Sequence, residues 1–99
     1  MWYAIIGRDA PDSLERRKAC RPAHLQRIQA LADAGRVLLA GPFPAVDNED
    51  PGEAGFTGSL MVVDFPDLEA ATDWAKEDPY MQQGVFEQIN VKPFKPVLP

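Results

Sequence analysis

Apolar residues recur along this chain in two rhythms. Trp2 to Gly7 is β-prone and ends on glycine, which predicts a first strand with Trp2, Ala4 and Ile6 on one face and Tyr3 and Ile5 on the other. Both faces are apolar. Arg8 to Asp12 reads as a polar turn, after which Ser13 is placed to cap a short helical turn through Arg16 to Ala19. Pro22 suits the first turn of a second, longer helical segment, where its missing N–H has no partner to lose. Within that segment Leu25, Ile28, Leu31 and Ala32 return at helical spacing, and Gly35 marks a stop. His24 falls on the side of Ile28 and Leu31, so it is expected to face inward, close to the helix start.

Arg36 to Pro42 predicts a second strand, halted by Gly41 and Pro42. From 42 to 58 the composition turns to Pro, Gly and acid, with Asp47, Glu49, Asp50 and Glu53, and predicts one long loop, either a lid over a binding site or flexible decoration. Ser59 to Phe65 is a third strand. Asp67 caps a helix with Leu68, Ala71, Trp74 and Ala75 as its buried stripe, and Pro79 stops it near Asp78. Tyr80 to Gln83 forms one further turn, and Val85 to Val91 is the last strand before a proline-punctuated tail.

The order β-α-β-β-α-β is the ferredoxin-like α+β pattern, an antiparallel sheet with both helices on one face. Right-handed crossovers make strands 1 and 2 parallel, put strand 3 between them and send strand 4 beyond strand 1. Arg8, His24, Gly41, Pro42, Ser59, Asp78 and Tyr80 are then expected near one end of the domain. Two helices cover one side of a sheet whose strands are apolar on both, so the other side calls for a second copy, a homodimer through the sheet faces.

With 99 residues the chain reads as a single domain, 1–99, with little surplus core, which favours the same conclusion. A net charge of -5 argues against nucleic acid as a partner. The basic run Arg16-Arg17-Lys18, followed by Arg21, reads as a solvated helix face balanced by Asp12 and Glu15. Cys20 is alone, so no intramolecular disulfide or Cys-rich metal site is expected; it reads as a buried or half-buried inert thiol, with a nucleophile as the lesser reading. The apolar start is too short for a membrane span and lacks a basic lead-in, which points to a cytoplasmic protein. No Gly-rich phosphate motif or Cys/His cluster suggests a cofactor or a metal.

His24 is the one histidine, and therefore the one imidazole base on offer. The fold brings it Asp78, a carboxylate able to fix the tautomer and leave the second ring nitrogen free to accept a proton. An early-turn His24 would feel a dipole that disfavours the cation, and Asp78 at a helix C-terminus one that disfavours the anion; both placements favour proton shuttling. A lone inward histidine also serves as a satisfied structural residue, and Asp before Pro also simply ends a helix.

Several ordered motifs carry a resemblance: Arg21-Pro22-Ala23-His24-Leu25, Ala40-Gly41-Pro42, Gly55-Phe56-Thr57-Gly58-Ser59, Asp78-Pro79-Tyr80 with Gly84-Val85, and Val91-Lys92-Pro93-Phe94. Over nearly its whole length the chain resembles the YciI-like, YCII-related family. The resemblance implies a dimeric α+β barrel, similar to muconolactone isomerases and antibiotic-biosynthesis monooxygenases, with a pocket in each subunit. It implies His24 and Asp78 as the active-site pair and Ser59 as a pocket residue; Tyr80, Arg8, Gly41 and Pro42 are added as substrate contacts. The activity expected is that of a small cofactor-independent enzyme, an isomerase, lyase or dehydrochlorinase acting on a small organic molecule. A non-catalytic module that binds or senses such a molecule is the alternative, and a purely structural dimerisation unit a third.

Overall fold

The computed structural model describes residues 1–99. Along the chain it runs β1 (Trp2–Asp9), α1 (Leu14–Asp33), β2 (Val37–Pro44), a 3-10 turn (Gly52–Ala54), β3 (Phe56–Asp64), α2 (Leu68–Lys76), α3 (Pro79–Gln82) and β4 (Phe86–Phe94). The strands form one sheet in the order β2-β3-β1-β4, with each neighbouring pair antiparallel. This is the expected ferredoxin-like α+β topology, with β1 and β2 parallel across the inserted β3.

The period-2 pattern of β1 decides which face is covered. Tyr3, Ile5 and Gly7 are buried, whereas Trp2, Ala4 and Ile6 are half-buried. Register carries the distinction across the sheet. Tyr3 pairs with Val63 and Ile5 with Met61, and these four join Ile28 and Leu31 of α1 and Ala71 and Ala75 of α2 in the main core. On the opposite face Ala4 pairs with Val62, Ile6 with Leu60 and Trp2 with Phe94, while Leu39 stands beside Val62 and Phe43 beside Gly58. No helix of this chain covers that second, largely apolar face.

Two close approaches need glycine. A Cβ on Gly7 would stand 2.5 Å from ring carbons of Phe86, and one on Gly58 would collide with the Gly7 carbonyl oxygen. Phe86 in turn packs edge-on against Tyr80, with centroids 5.3 Å apart, in a second small cluster with Val85 that Cys20 partly covers.

Several expectations are corrected. The two helical segments are one helix, Leu14–Asp33, with Pro22 inside it; Ser13 holds the N-cap position without a side-chain capping bond. Proline costs a helix the bond to the carbonyl four residues back. Here that carbonyl belongs to Lys18, and both residues lie on the exposed side, where water can serve it. His24 therefore sits mid-helix, not in a first turn. Leu25, Ala32 and Leu68 are exposed, and the buried residues of α1 are Arg17, His24, Ile28 and Leu31.

β2 does not stop at Gly41-Pro42 but runs to Pro44, because it is an edge strand in which a missing N–H can face away from the sheet. β3 starts at Phe56 and β4 reaches Phe94, so the long 42–58 loop shrinks to the segment 45–55 with its 3-10 turn.

Candidate functional site

Asp78 follows the last turn of α2 and is the N-cap of α3, with Pro79 at the first helical position. Its carboxylate accepts from the Tyr80 backbone N–H at 2.9 Å. The environment is thus the reverse of the expected helix C-terminus, since a helix start favours a carboxylate. Asp78 is 1% exposed, and His24, one of the buried residues of α1, meets it with Nδ1 at 2.8 and 2.9 Å from the two carboxylate oxygens. A third cation-side contact comes from Arg27, one turn after His24, whose Nη1 lies 3.5 Å from Asp78 Oδ2 while its Nη2 donates to the Trp74 carbonyl at 2.8 Å.

A carboxylate surrounded by donors can only accept, so the proton between the two side chains belongs on His24 Nδ1. In the neutral imidazole Nε2 then carries the lone pair. The ring is held in plane by Tyr80, stacked on it at 3.8 Å between centroids and 9° between planes. Burial pushes the Tyr80 hydroxyl above its ordinary 10.0; Arg17 and Arg21 pull the other way and Asp78 adds to the rise. The phenol stays protonated near neutral pH.

His24 and Tyr80 line a cavity of about 170 Å³, walled by Arg17, Arg21, Leu25 and Ile28 of α1, Ala40, Gly41 and Pro42 of β2, and Ser59 and Met61 of β3. A cavity of about 150 Å³ elsewhere holds a benzene molecule, so one small ring fits. Of the residues singled out in the sequence, His24, Gly41, Pro42, Ser59 and Tyr80 share this cavity, and Asp78 stands behind His24. Arg8 does not join them: it is exposed and pairs with Glu87 at 2.9 Å.

Arg17 is the residue that sequence reasoning missed. Far from a solvated face, it is buried and bonds both oxygens of Asp9, at 2.8 and 3.0 Å, the Gly58 carbonyl at 3.1 Å and Ser59 Oγ at 2.9 Å. Its guanidinium also lies 4.8 Å from the centre of the Tyr80 ring. A signal existed. Arg17 is two turns before His24 on one helix face, but splitting the helix at Pro22 hid it.

A YCII-related domain model matches residues 1–95. The chain belongs to the YCII-related family. This YCII-related chain is 58% identical over 97 residues to Protein YciI of Escherichia coli O6:H1, covering 98% of this chain and 99% of that one. It is 32% identical over 92 residues to the derivative of benzaldehyde biosynthesis cluster protein C of Emericella nidulans, covering 92% and 90% of the two chains. Its fold matches the 5-chloro-2-hydroxyhydroquinone dehydrochlorinase of Burkholderia phenoliruptrix, solved with 2,5-dihydroxybenzoquinone, with a TM-score of 0.83, 23% identity and coverage of 96% and 94%. No group of three or more His, Cys, Asp or Glu side chains in this family member is placed to hold a metal ion, and no helix is long and apolar enough to cross a membrane.

Proposed function

We propose that this YCII-related protein is a small acid/base enzyme in which His24 Nε2 removes or relays a proton on a small organic molecule held in the cavity. The observation that carries this reading is the buried His24–Asp78 pair, bonded through Nδ1 on a ring that lines the cavity. Asp78 fixes the tautomer and balances the imidazolium that forms during proton transfer, and Tyr80 holds the ring plane. The reaction class is isomerisation, elimination or dehydrochlorination. Support comes from the volume and mixed lining of the cavity, from a dehydrochlorinase with the same fold solved with a small oxygenated ring, and from a relative named for a small-molecule biosynthetic cluster.

The working form is a homodimer through the uncovered sheet face, which carries Trp2, Ala4, Ile6, Leu39, Phe43, Leu60 and Val62. The function is tested by presenting the wild type, His24→Gln and Asp78→Asn with a panel of cyclic ketones, hydroxyquinones and chlorinated phenols. Turnover by the wild type that falls about 10²- to 10⁴-fold in His24→Gln, in a folded variant, is the expected result. Ligands that bind in the cavity with no turnover by the wild type would instead establish a binding or sensing module.

A further inference from the structure

We infer that Ser59 is the electrophilic partner of His24: its hydroxyl donates to the carbonyl oxygen of an enolisable substrate while His24 Nε2 takes a proton from the adjacent carbon. The inference rests on the acid/base reading of His24 and adds a substrate class to it. A serine hydroxyl has one proton and two lone pairs. Ser59 is 3% exposed, lines the cavity, and accepts a charge-assisted bond from Arg17 Nη2 at 2.9 Å. No protein acceptor takes its own proton, so the O–H remains a donor, polarised by the guanidinium behind it.

Arg17 itself is fixed. Its Nε and Nη2 are bonded to Asp9, Nη2 also reaches the Gly58 carbonyl, and the side chains of the Arg17–Asp9 ion pair are 7% and 4% exposed. The carboxylate balances the guanidinium, so the cation behind Ser59 is not bare, and the other arginine of the lining, Arg21, is exposed to solvent. Such a site favours an oxygen that arrives neutral and gains charge only as the reaction proceeds, which is the condition for stabilising a transition state above a ground state. In the step, the C–H bond next to the carbonyl breaks and its proton goes to Nε2. The C–H electron pair becomes a C=C bond and the carbonyl π pair moves onto the oxygen held by Ser59. In a simple ketone the proton returns to the same carbon, which is exchange; where a second C=C or a neighbouring hydroxyl extends the enolate, its return at another carbon gives an isomer, with no oxidant or co-reactant. The substrate class is a small cyclic ketone or hydroxyenone.

Two measurements on the full chain test this. In the first, 4-nitrophenolate serves as a mimic of the enolate oxygen and its binding is followed by absorbance. In the second, exchange of the α-protons of cyclohexanone in D₂O is followed by NMR. Expected are phenolate binding weakened at least about tenfold in Ser59→Ala and retained in Ser59→Thr, and exchange slowed about 10²-fold in Ser59→Ala. Equal binding by wild type and Ser59→Ala, or no phenolate binding by the wild type, would overturn the proposal. Exchange that depends on His24 yet ignores Ser59→Ala would overturn the role of Ser59 alone. Ser59-dependent phenolate binding without exchange would sustain the oxyanion site and remove the base.

Discussion

Replacing Asp9 by Asn removes a charge from the interior while nearly preserving shape, and leaves the Arg17 guanidinium in place. The paired side chains are 4% and 7% exposed and meet at 2.8 Å, so solvent can neither screen the pair nor rescue the survivor. Breaking a buried pair in this way costs about 3–5 kcal/mol, against a total stability of about 5–15 kcal/mol for a domain of this size. The remaining Gly58 and Ser59 acceptors are neutral, so the cost should lie toward the middle of that range. With a urea slope of about 1.5 kcal/mol/M, a loss of 3 kcal/mol or more moves the unfolding midpoint down by about 2 M. The neighbouring charges provide the comparison. Lys18 and Glu15 meet at 3.6 Å with side chains 62% and 88% exposed, and Arg16 only reaches the Gly84 carbonyl at 3.3 Å on the surface. Lys18→Ala and Arg16→Ala should each shift stability by less than about 0.5 kcal/mol. Urea unfolding of the three variants decides the matter: a midpoint shift for Asp9→Asn no larger than theirs would refute the claim that Arg17 is a buried structural cation of the site.

Gly7→Ala puts a methyl 2.5 Å from the Phe86 ring, so it should cost about 1–3 kcal/mol and move Tyr80 through their edge-on contact, read as a changed Tyr80 ring signal by NMR. Because burial raises the Tyr80 pKa above 10.0, the folded state holds that proton after the unfolded state has lost it. Its contribution is complete below pH 10 and is lost as pH rises through the folded value, so urea stability from about pH 9 to about pH 12 should fall more steeply in wild type than in Tyr80→Phe. A charge at the centre of the uncovered sheet face should separate the proposed dimer: sedimentation of wild type is expected at twice the chain mass of 10.9 kDa and of Ile6→Lys at the monomer mass, and a monomeric wild type would remove the dimer.

The fold was legible because its signals were redundant. Alternation in β1, Asp67 as a cap whose side chain accepts from the Ala70 N–H, and the order of elements each pointed the same way. Boundaries were less legible where proline was read as a stop. Pro22 is tolerated within α1 on its exposed side, and Pro42 and Pro44 within β2 at the sheet edge, since in both places the missing N–H costs little. His24 and Asp78 were brought together from topology alone, but their places in the helices were misjudged, since His24 sits mid-helix and Asp78 caps the start of α3. A residue two beyond the end of one helix can be the cap of the next, and the Asp-Pro pair signals both.

Arg17 was illegible for a deeper reason. Hydrophobic periodicity finds the faces of helices that bury apolar groups, and the inward face of α1 from Ser13 to His24 buries Ser13, Arg17 and His24 instead. Burying such groups is costly unless every one is bonded. Here the partners come from elsewhere in the chain: Asp9 from β1, Ser59 and the Gly58 carbonyl from β3, and Asp78 from the start of α3. Asp9 stands eight residues before Arg17, but the other partners lie more than forty residues away, so propensity along the helix could only register the polar residues as surface. The same arrangement explains why the cavity lies at this end of α1 and not at the other, where Leu31 and Val63 belong to the apolar core, with Ile28 and Met61 at the boundary of core and cavity. A helix that carried apolar residues at 17 and 24 would pack more simply, and it would have neither a donor polarised at Ser59 nor an oriented imidazole beside it.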